Sequence, residues 1–345
     1  MRYSSQDLQC ISRKERWRLD KVNVAIVGAT GMVGRTFLEV LEDMDLPIGS
    51  LGLFASGKSA GEKIIFRDEE YTIEELHEDS LDPERFQYAL FSAGGSISRD
   101  YGRKASERGI TVIDNSSFYR MEEDVPLIVP EINMEKAGEH TLISNPNCST
   151  IQSVLPLKVI HDLFKVKRVI YTTYQAVSGS GQKGLEDLRR TERGEAPEFY
   201  PVAIYDNCIP HIDVFLEDGS TKEEQKMIEE TRKILGEPLL KVSATCVRVP
   251  VSNGHSVSMN VTCERHPDLD LLKKELDRAE GIVFYDESYP TVLDAVGQDK
   301  VLVGRLREDR SEENTIQLWV VADNVRKGAA SNAVQILKKL WEERR

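Results

Sequence analysis

The chain has little cysteine, no excess of positive charge, no long apolar run and no repeats, and each shortage excludes something. Five cysteines in 345 residues, at positions 10, 148, 208, 246 and 263, form no pair with metal-ligand spacing, and their number is odd. That is the pattern of free thiols in a reducing cytoplasm rather than a disulfide framework, and it offers no metal site. A formal charge of −13 excludes a general nucleic-acid binder, which needs a basic surface, but leaves room for local basic pockets that take small anions. No apolar stretch is long enough for a membrane span or a signal peptide.

What is present suits a two-domain globular chain. Hydrophobic residues at 40% supply a sizeable core, and the length predicts two domains. Residues 1–20 stand apart: a polar start is followed by Arg13, Lys14, Arg16 and Arg18, which predicts a weakly ordered N-terminal extension.

The stretch from Ser144 to Thr150 organises the rest. Leu142-Ile143 ends a strand, Pro146 between two asparagines forces a turn, and Ile151 to Leu157 has the apolar spacing of a starting helix. Cys148 therefore sits at a helix N-terminus, where free N–H groups and the positive end of the dipole favour a thiolate and can hold an oxyanion. A small buried cysteine in a helix turn is the plainer alternative.

Upstream, Val22 to Val27 is a buried parallel strand by composition. It runs straight into Gly28-Ala29-Thr30-Gly31-Met32-Val33-Gly34 and then a helix with Phe37, Leu38 and Leu41 on one face. Strand, glycine-rich turn and helix make a pyrophosphate cradle, although the spacing is G-x-x-G-x-x-G. The second strand, 51–55, ends without the acid of an NAD-type site. Lys58 and Ser59 follow instead, and a cation with a hydroxyl suits the 2′-phosphate of NADP. Further strands are predicted at 88–91, 111–113 and 127–129, with a helix over 100–108, so the first half is a doubly wound parallel sheet. Cys148 follows the last of its strands and is expected on the same rim.

The second half alternates differently. Residues 168–175, 256–262 and 315–321 read as half-exposed antiparallel strands, and 222–235 and 271–279 as helices, giving an α+β domain. A last helix, 330–343, returns to the first domain. Gln175 precedes a Gly/Ser turn containing Ser178 and Gly179, and Arg248 and His255 bracket a loop. Histidine is the side chain best suited to proton transfer at neutral pH, and a cysteine enzyme needs such a partner. Glu223 and Lys226 share a helix face. Ser220 with Glu223, or Thr221 with Glu224, also fits a capping box, and on local grounds the cap is the better reading of Glu223.

These motifs together resemble the aspartate-β-semialdehyde dehydrogenase family from about Lys21 to the C-terminus. Those that carry the resemblance are the Gly28 turn, Phe91 to Gly94, Asp114 to Ser117, Val129 to Asn133, Pro146 to Thr150, Gln175 to Gly179, Arg248 to Pro250 with His255, and Asp323-Asn324 before Lys327-Gly328. The resemblance implies an α/β fold: a Rossmann domain, 21–147 completed by 323–345, and a mixed-sheet catalytic and dimerisation domain, 148–322. It implies a cytoplasmic homodimer or homotetramer, with no nucleic-acid or membrane partner. The implied activity is NADP-linked interconversion of L-4-aspartyl phosphate and L-aspartate 4-semialdehyde through a cysteine thioester, on the route to lysine, methionine, threonine and isoleucine.

By resemblance, Cys148 is the nucleophile and His255 the acid/base. Gln175, Glu223 and Arg248 bind substrate, and Arg120 and Lys226 bind inorganic phosphate. Thr30, Gly31, Met32, Val33, Lys58, Ser59, Ser178, Gly179 and Asn324 take positions around NADP. One departure is visible: the segment between Gly184 and His211 is shorter than in many members, which bears on dimer contacts there. Alternatives are a reductase for another semialdehyde, such as N-acetylglutamate 5-semialdehyde, and a non-catalytic NADP-binding protein.

The cofactor reading is testable at Lys58. Lys58→Glu should move the ratio of kcat/KM for NADP over NAD toward NAD by roughly tenfold or more, the worth of one charge-assisted contact. An unchanged ratio would mean that the 2′-phosphate is read elsewhere.

Overall fold

The computed structural model describes residues 21–344, so the N-terminal extension expected at 1–20 lies outside the described residues. Two compact units emerge. The first holds the described residues through Pro130, Met134–Asn145 and the chain from Ala330 onward; the second holds Glu131–Asn133 and Pro146–Ala329.

In the first unit, strands β1 (Val22–Val27), β2 (Ile48–Ala55), β5 (Glu74–Glu75), β6 (Tyr88–Phe91), β7 (Thr111–Asp114) and β8 (Leu142–Ser144) form one sheet. Its order is β5-β2-β1-β6-β7-β8, and every pairing is parallel. A hairpin of β3 (Lys63–Phe66) and β4 (Glu69–Thr72) stands beside it. All six residues of β1 are buried, as a central parallel strand requires. Strand order reverses between β1 and β6, and such switch points hold ligands in doubly wound sheets. The Gly28 turn leaves β1 at that point and enters helix α1 (Met32–Asp43).

The glycines of this turn differ in purpose. Gly28 has φ +90°, and a Cβ there would lie 2.9 Å from the backbone after β6. A Cβ on Gly34 would fall 2.1 Å from the Gly28 carbonyl oxygen, so α1 packs against the turn only with glycine there. The expected strand at 127–129 forms only a single bridge, Leu127 to Ser144, because Pro130 starts a short helix directly after it. The helix expected at 100–108 begins instead as a wider turn, Ser98–Gly102, before Arg103–Glu107.

In the second unit, helix α2 (Cys148–Phe164) is buried along most of its length. It packs on a six-stranded sheet ordered β10-β9-β11-β14-β13-β12. These strands are β9 (Val166–Gln175), β10 (Lys241–Arg248), β11 (His255–Cys263), β12 (Ile282–Tyr285), β13 (Val301–Glu308) and β14 (Thr315–Ala322). The sheet is mixed: β9 with β10 and β12 with β13 run parallel, the remaining pairs antiparallel. Burial alternates along β11, where Val257, Met259 and Val261 are fully buried and the residues between them are not. The other face carries half-open Tyr174 against Trp319. Helices α3 (Gln182–Glu192), α4 (Lys222–Leu235) and α5 (Leu269–Arg278) complete this unit.

Helix α6 (Ser331–Glu343) belongs to the first unit, where its apolar face joins the core with Phe37 and Leu41 of α1. Residues 323–329, grouped by sequence with the first domain, cluster with the second, where Asp323 accepts a hydrogen bond from Gly297.

The two glycine purposes separate in a stability measurement. Gly34→Ala should cost about 1–3 kcal/mol of unfolding free energy, the scale of overpacking. Gly31→Ala should cost at most about 1 kcal/mol, the worth of a glycine N-cap, because its Cβ would meet nothing closer than 3.4 Å. Urea unfolding of both variants checks this, and equal losses would refute the distinction.

Candidate active site

The second unit gathers most of the implied catalytic residues around the start of α2. Cys148 is its first residue, half-buried and free of any disulfide. The N-cap is Asn147, whose side-chain oxygen accepts the N–H groups of Ser149 at 3.0 Å and Thr150 at 3.2 Å. The rest of Asn147 is held by two buried carboxylates. Its backbone N–H donates to Glu230 at 2.6 Å, and its side-chain amide donates to Glu223 Oε1 at 2.8 Å. Sequence reasoning missed Asn147 as a cap and Glu230 altogether. The available signal was an asparagine immediately before the helix; nothing local marks Glu230.

Glu223 is not the helix cap. The capping box of α4 is Thr221 with Glu224, both bonds present, which overturns the local preference for Glu223 as capper. The Glu223 side chain turns inward instead. Its Oε1 also accepts from Gln175 at 3.3 Å, and its Oε2 from Lys226 at 3.1 Å. Burial pushes its carboxyl upward, but Lys226 and the donated hydrogen bonds win and hold it below the ordinary range. Lys226 is in turn kept protonated against its burial by Glu223 and by Asp213, 2.7 Å away.

Residues 175–176, at the end of β9, join these groups to the histidine. The Ala176 N–H donates to His255 Nδ1 at 3.0 Å, and the Ala176 carbonyl accepts from Arg248 Nη1 at 2.7 Å. A backbone N–H can only donate, so Nδ1 is an acceptor and the ring proton sits on Nε2. Both His255 Nε2 and Arg248 Nε are buried without a hydrogen-bond partner. Burial first, and the Arg248 guanidinium second, hold the imidazole well below its usual pKa. Gly179 closes over this pair: a Cβ there would lie 2.8 Å from Arg248 Nη1 and 3.2 Å from His255 Nε2. One turn into α2, Gln152 donates to the His255 carbonyl at 3.1 Å and ties the helix to β11. Ser178 and Asn324 hydrogen-bond to each other, and Asn324 Oδ1 accepts from Gly254 N–H at 2.9 Å.

The first unit carries the remaining assigned residues. Arg120 is buried, donating to the carbonyls of Asn145 at 2.9 Å and Asn115 at 3.0 Å. Asn145 also bonds Asn115 and Asn332, so the last residue before the crossing is tightly held. Thr30 to Val33 lie at the start of α1, where Gly31 is exposed. These residues fit a dinucleotide: Gly31 has a negative φ and no internal contact that requires glycine, so its missing side chain leaves room for something external. Lys58 is exposed beyond β2, with Ser59 half-buried beside it. A carboxylate does reach that end, brought by β5 rather than by sequence proximity. Glu75 stands so close to Gly57 that a Cβ there would lie 2.7 Å from its oxygen.

Known proteins match this arrangement. A family model described as semialdehyde dehydrogenase, NAD binding domain, matches residues 23–140, and one described as semialdehyde dehydrogenase, dimerisation domain, matches 157–327. The aspartate-semialdehyde dehydrogenase of Aquifex aeolicus is 48% identical over 334 residues, covering 93% of this chain and 98% of that protein. The crystal structure of aspartate semialdehyde dehydrogenase II from Vibrio cholerae complexed with ASA aligns with a TM-score of 0.90 at 43% identity, covering 94% of this chain and 99% of that one. The Candida albicans enzyme, solved with NADP, aligns with a TM-score of 0.74 at 26% identity over 93% of this chain and 98% of its own.

His255 gives the fold a pH dependence of defined sign. Unfolded histidine titrates near 6.5, and the folded ring well below it. Stability from keeping the ring neutral is therefore complete above about pH 6.5 and is lost as the pH falls below it, by up to about 1.4 kcal/mol per pH unit. Urea unfolding at about pH 7.5 and about pH 5.5 should show a smaller loss in His255→Asn than in the wild type. Equal losses would show that His255 is not the group responsible.

Proposed function

The chain belongs to the aspartate-semialdehyde dehydrogenase family, and on that premise we propose that it reduces L-4-aspartyl phosphate to L-aspartate 4-semialdehyde, reversibly, through an acyl thioester on Cys148. The observation that carries this reading is a nucleophile whose helix cap, Asn147, is held by a buried, ionised Glu223. That carboxylate suits the α-ammonium of an aspartyl substrate, and an acetylated amine would offer it no charge.

The chemistry follows from the residues. The Cys148 sulfur attacks the acyl carbon; the C–S bond forms, the bond to the phosphate oxygen breaks, and inorganic phosphate leaves. The positive end of the α2 dipole favours the oxyanion of that addition. Arg248, whose buried Nε is unpartnered, is proposed to clamp the α-carboxylate, and Gln175 to orient the substrate beside Glu223. Lys226 is proposed to receive the phosphate. The bound nicotinamide cofactor supplies the hydride. His255 offers Nε2–H to the oxygen that becomes negative on reduction of the thioester. Collapse of that oxyanion breaks the C–S bond, releases the aldehyde and restores the thiolate.

NADP is the proposed cofactor. The Gly28 turn with Thr30, Gly31, Met32 and Val33 would hold the pyrophosphate, and Lys58 with Ser59 the 2′-phosphate; the NADP bound to the Candida relative supports this choice. Ser178, Gly179 and Asn324 are proposed as further cofactor positions. The proposed assembly is a homodimer through the second unit, whose half-open Tyr174 and Trp319 suit a partner's apolar surface. Free Cys148, Cys208, Cys246 and Cys263 accord with a reducing, cytoplasmic setting.

The test is an NADPH assay with aspartate semialdehyde and NADP, with and without phosphate. Wild type should require phosphate, and Cys148→Ala should lose turnover while still binding NADP. Glu223→Gln should raise the semialdehyde KM by roughly 10- to 100-fold, the scale of a lost charged partner. Its melting temperature should change little, since the Thr221–Glu224 cap remains and Gln can still accept from Asn147 and Gln175. Turnover by Cys148→Ala would end the covalent reading.

A further inference from the structure

The turn that leaves β14 reaches the proposed nucleophile, and apart from Asn324 none of it has a role in the chemistry above. Arg326–Ala330 forms one turn of π-helix, a rare conformation that tends to mark functional sites. Three side chains fix it. Asp323 Oδ1 accepts from the N–H groups of Val325 at 2.9 Å and Arg326 at 3.0 Å. Arg326 binds both oxygens of Asp299, at 2.8 and 3.0 Å. Lys327, with no exposed surface, donates to Glu131 Oε1 at 2.7 Å, and the other Glu131 oxygen is buried without a hydrogen-bond partner.

Gly328 follows directly. A Cβ there would stand 2.8 Å from Cys148 Cβ and 3.3 Å from Cys148 Cα. Gly328 does not have the positive φ that would itself demand glycine. The demand comes from the cysteine, and the turn presses bare backbone against its Cα–Cβ bond. Such a wall removes the rotamer that would swing the sulfur toward it. A buried ion pair is a poor way to gain stability alone, since desolvation offsets most of its attraction and an apolar pair would serve as well. It does fix position, because neither charge can leave the other without stranding it.

We propose that the 323–330 turn is a positioning clamp for Cys148, with Gly328 as its contact face and the buried Lys327–Glu131 pair as its anchor. The clamp limits the sulfur to the attacking orientation and acts through Cys148, so these are positioning residues. The inference rests on Cys148 being the nucleophile proposed above.

The experiment measures iodoacetamide labelling of Cys148 against pH, read by peptide mass spectrometry, in Gly328→Ala and Glu131→Gln. It is run beside kcat, KM and NADPH binding. Gly328→Ala should slow labelling and lower kcat together by about 100-fold, the scale of a misplacement near 1 Å, with KM and NADPH affinity unchanged. Glu131→Gln keeps the shape and removes the charge. It should lower kcat by a smaller factor and shift the pH profile of labelling, which a merely structural loss would not do. If Gly328→Ala does not fold, Glu131→Gln decides alone. Wild-type labelling rates and pH profile in the folded variants would overturn the clamp. If labelling responds as expected but wild type does not turn over aspartate semialdehyde, the functional reading fails and the clamp stands.

Discussion

The start of α2 depends on how Asn147 is shared. Its side-chain oxygen caps the helix, while its N–H and its amide go to Glu230 and Glu223. Carboxylates this deeply buried are destabilising unless their oxygens are hydrogen-bonded. Asn147 helps to satisfy both, and in doing so it fixes the first turn of the helix that carries Cys148. The cap is therefore tied to the state of Glu223. Anything that changes the partners of Glu223 acts on the cap as well, so under the proposed roles substrate binding and nucleophile geometry share one hydrogen-bond network.

The histidine side of the site obeys a different constraint. Glu223 and Lys226 meet as opposite charges, and each keeps its ionised form despite burial. His255 is buried beside a cation, so both influences drive it neutral. With Nδ1 committed to the Ala176 N–H, the ring is held as a donor at Nε2. A neutral donor beside Arg248 favours negative charge developing on an oxygen, which is what addition to a thioester produces. The same strand end, Gln175-Ala176, serves both halves, bonding Glu223 on one side and His255 on the other.

Much of this was legible in the sequence, for physical reasons. The buried parallel strands and the glycine turn show in local composition, because a strand covered on both faces must be apolar throughout, as β1 is. Cys148 at a helix start was legible because proline and asparagine mark the turn before it. Glu223 was not legible locally: two overlapping Ser/Thr-x-x-Glu patterns fit, and only the tertiary structure assigns the cap to Thr221 and Glu224. Glu230, Glu75 and the Lys327–Glu131 pair were also hidden. Their partners lie far along the chain or on another strand, and no local period encodes a pairing across 196 residues. The strand expected at 127–129 failed because three apolar residues before a proline fit a buried loop equally well.

Several glycines mark such long-range relations directly. Gly28 and Gly34 are required by the protein's own backbone, Gly179 by His255 and Arg248, and Gly328 by Cys148. Each explanation names an atom that a Cβ would strike. Gly31 has no such atom within 3.4 Å, and its φ of −71° is open to any residue. Gly31 is instead the N-cap of α1, a position that glycine fills far better than alanine. With no side-chain cap bond at that position, it also suits the proposed approach of a phosphate to the N–H donors at the start of α1. Under the proposed function that phosphate is the cofactor's pyrophosphate, and the G-x-x-G-x-x-G spacing divides into two glycines for the turn and one for the cap and ligand.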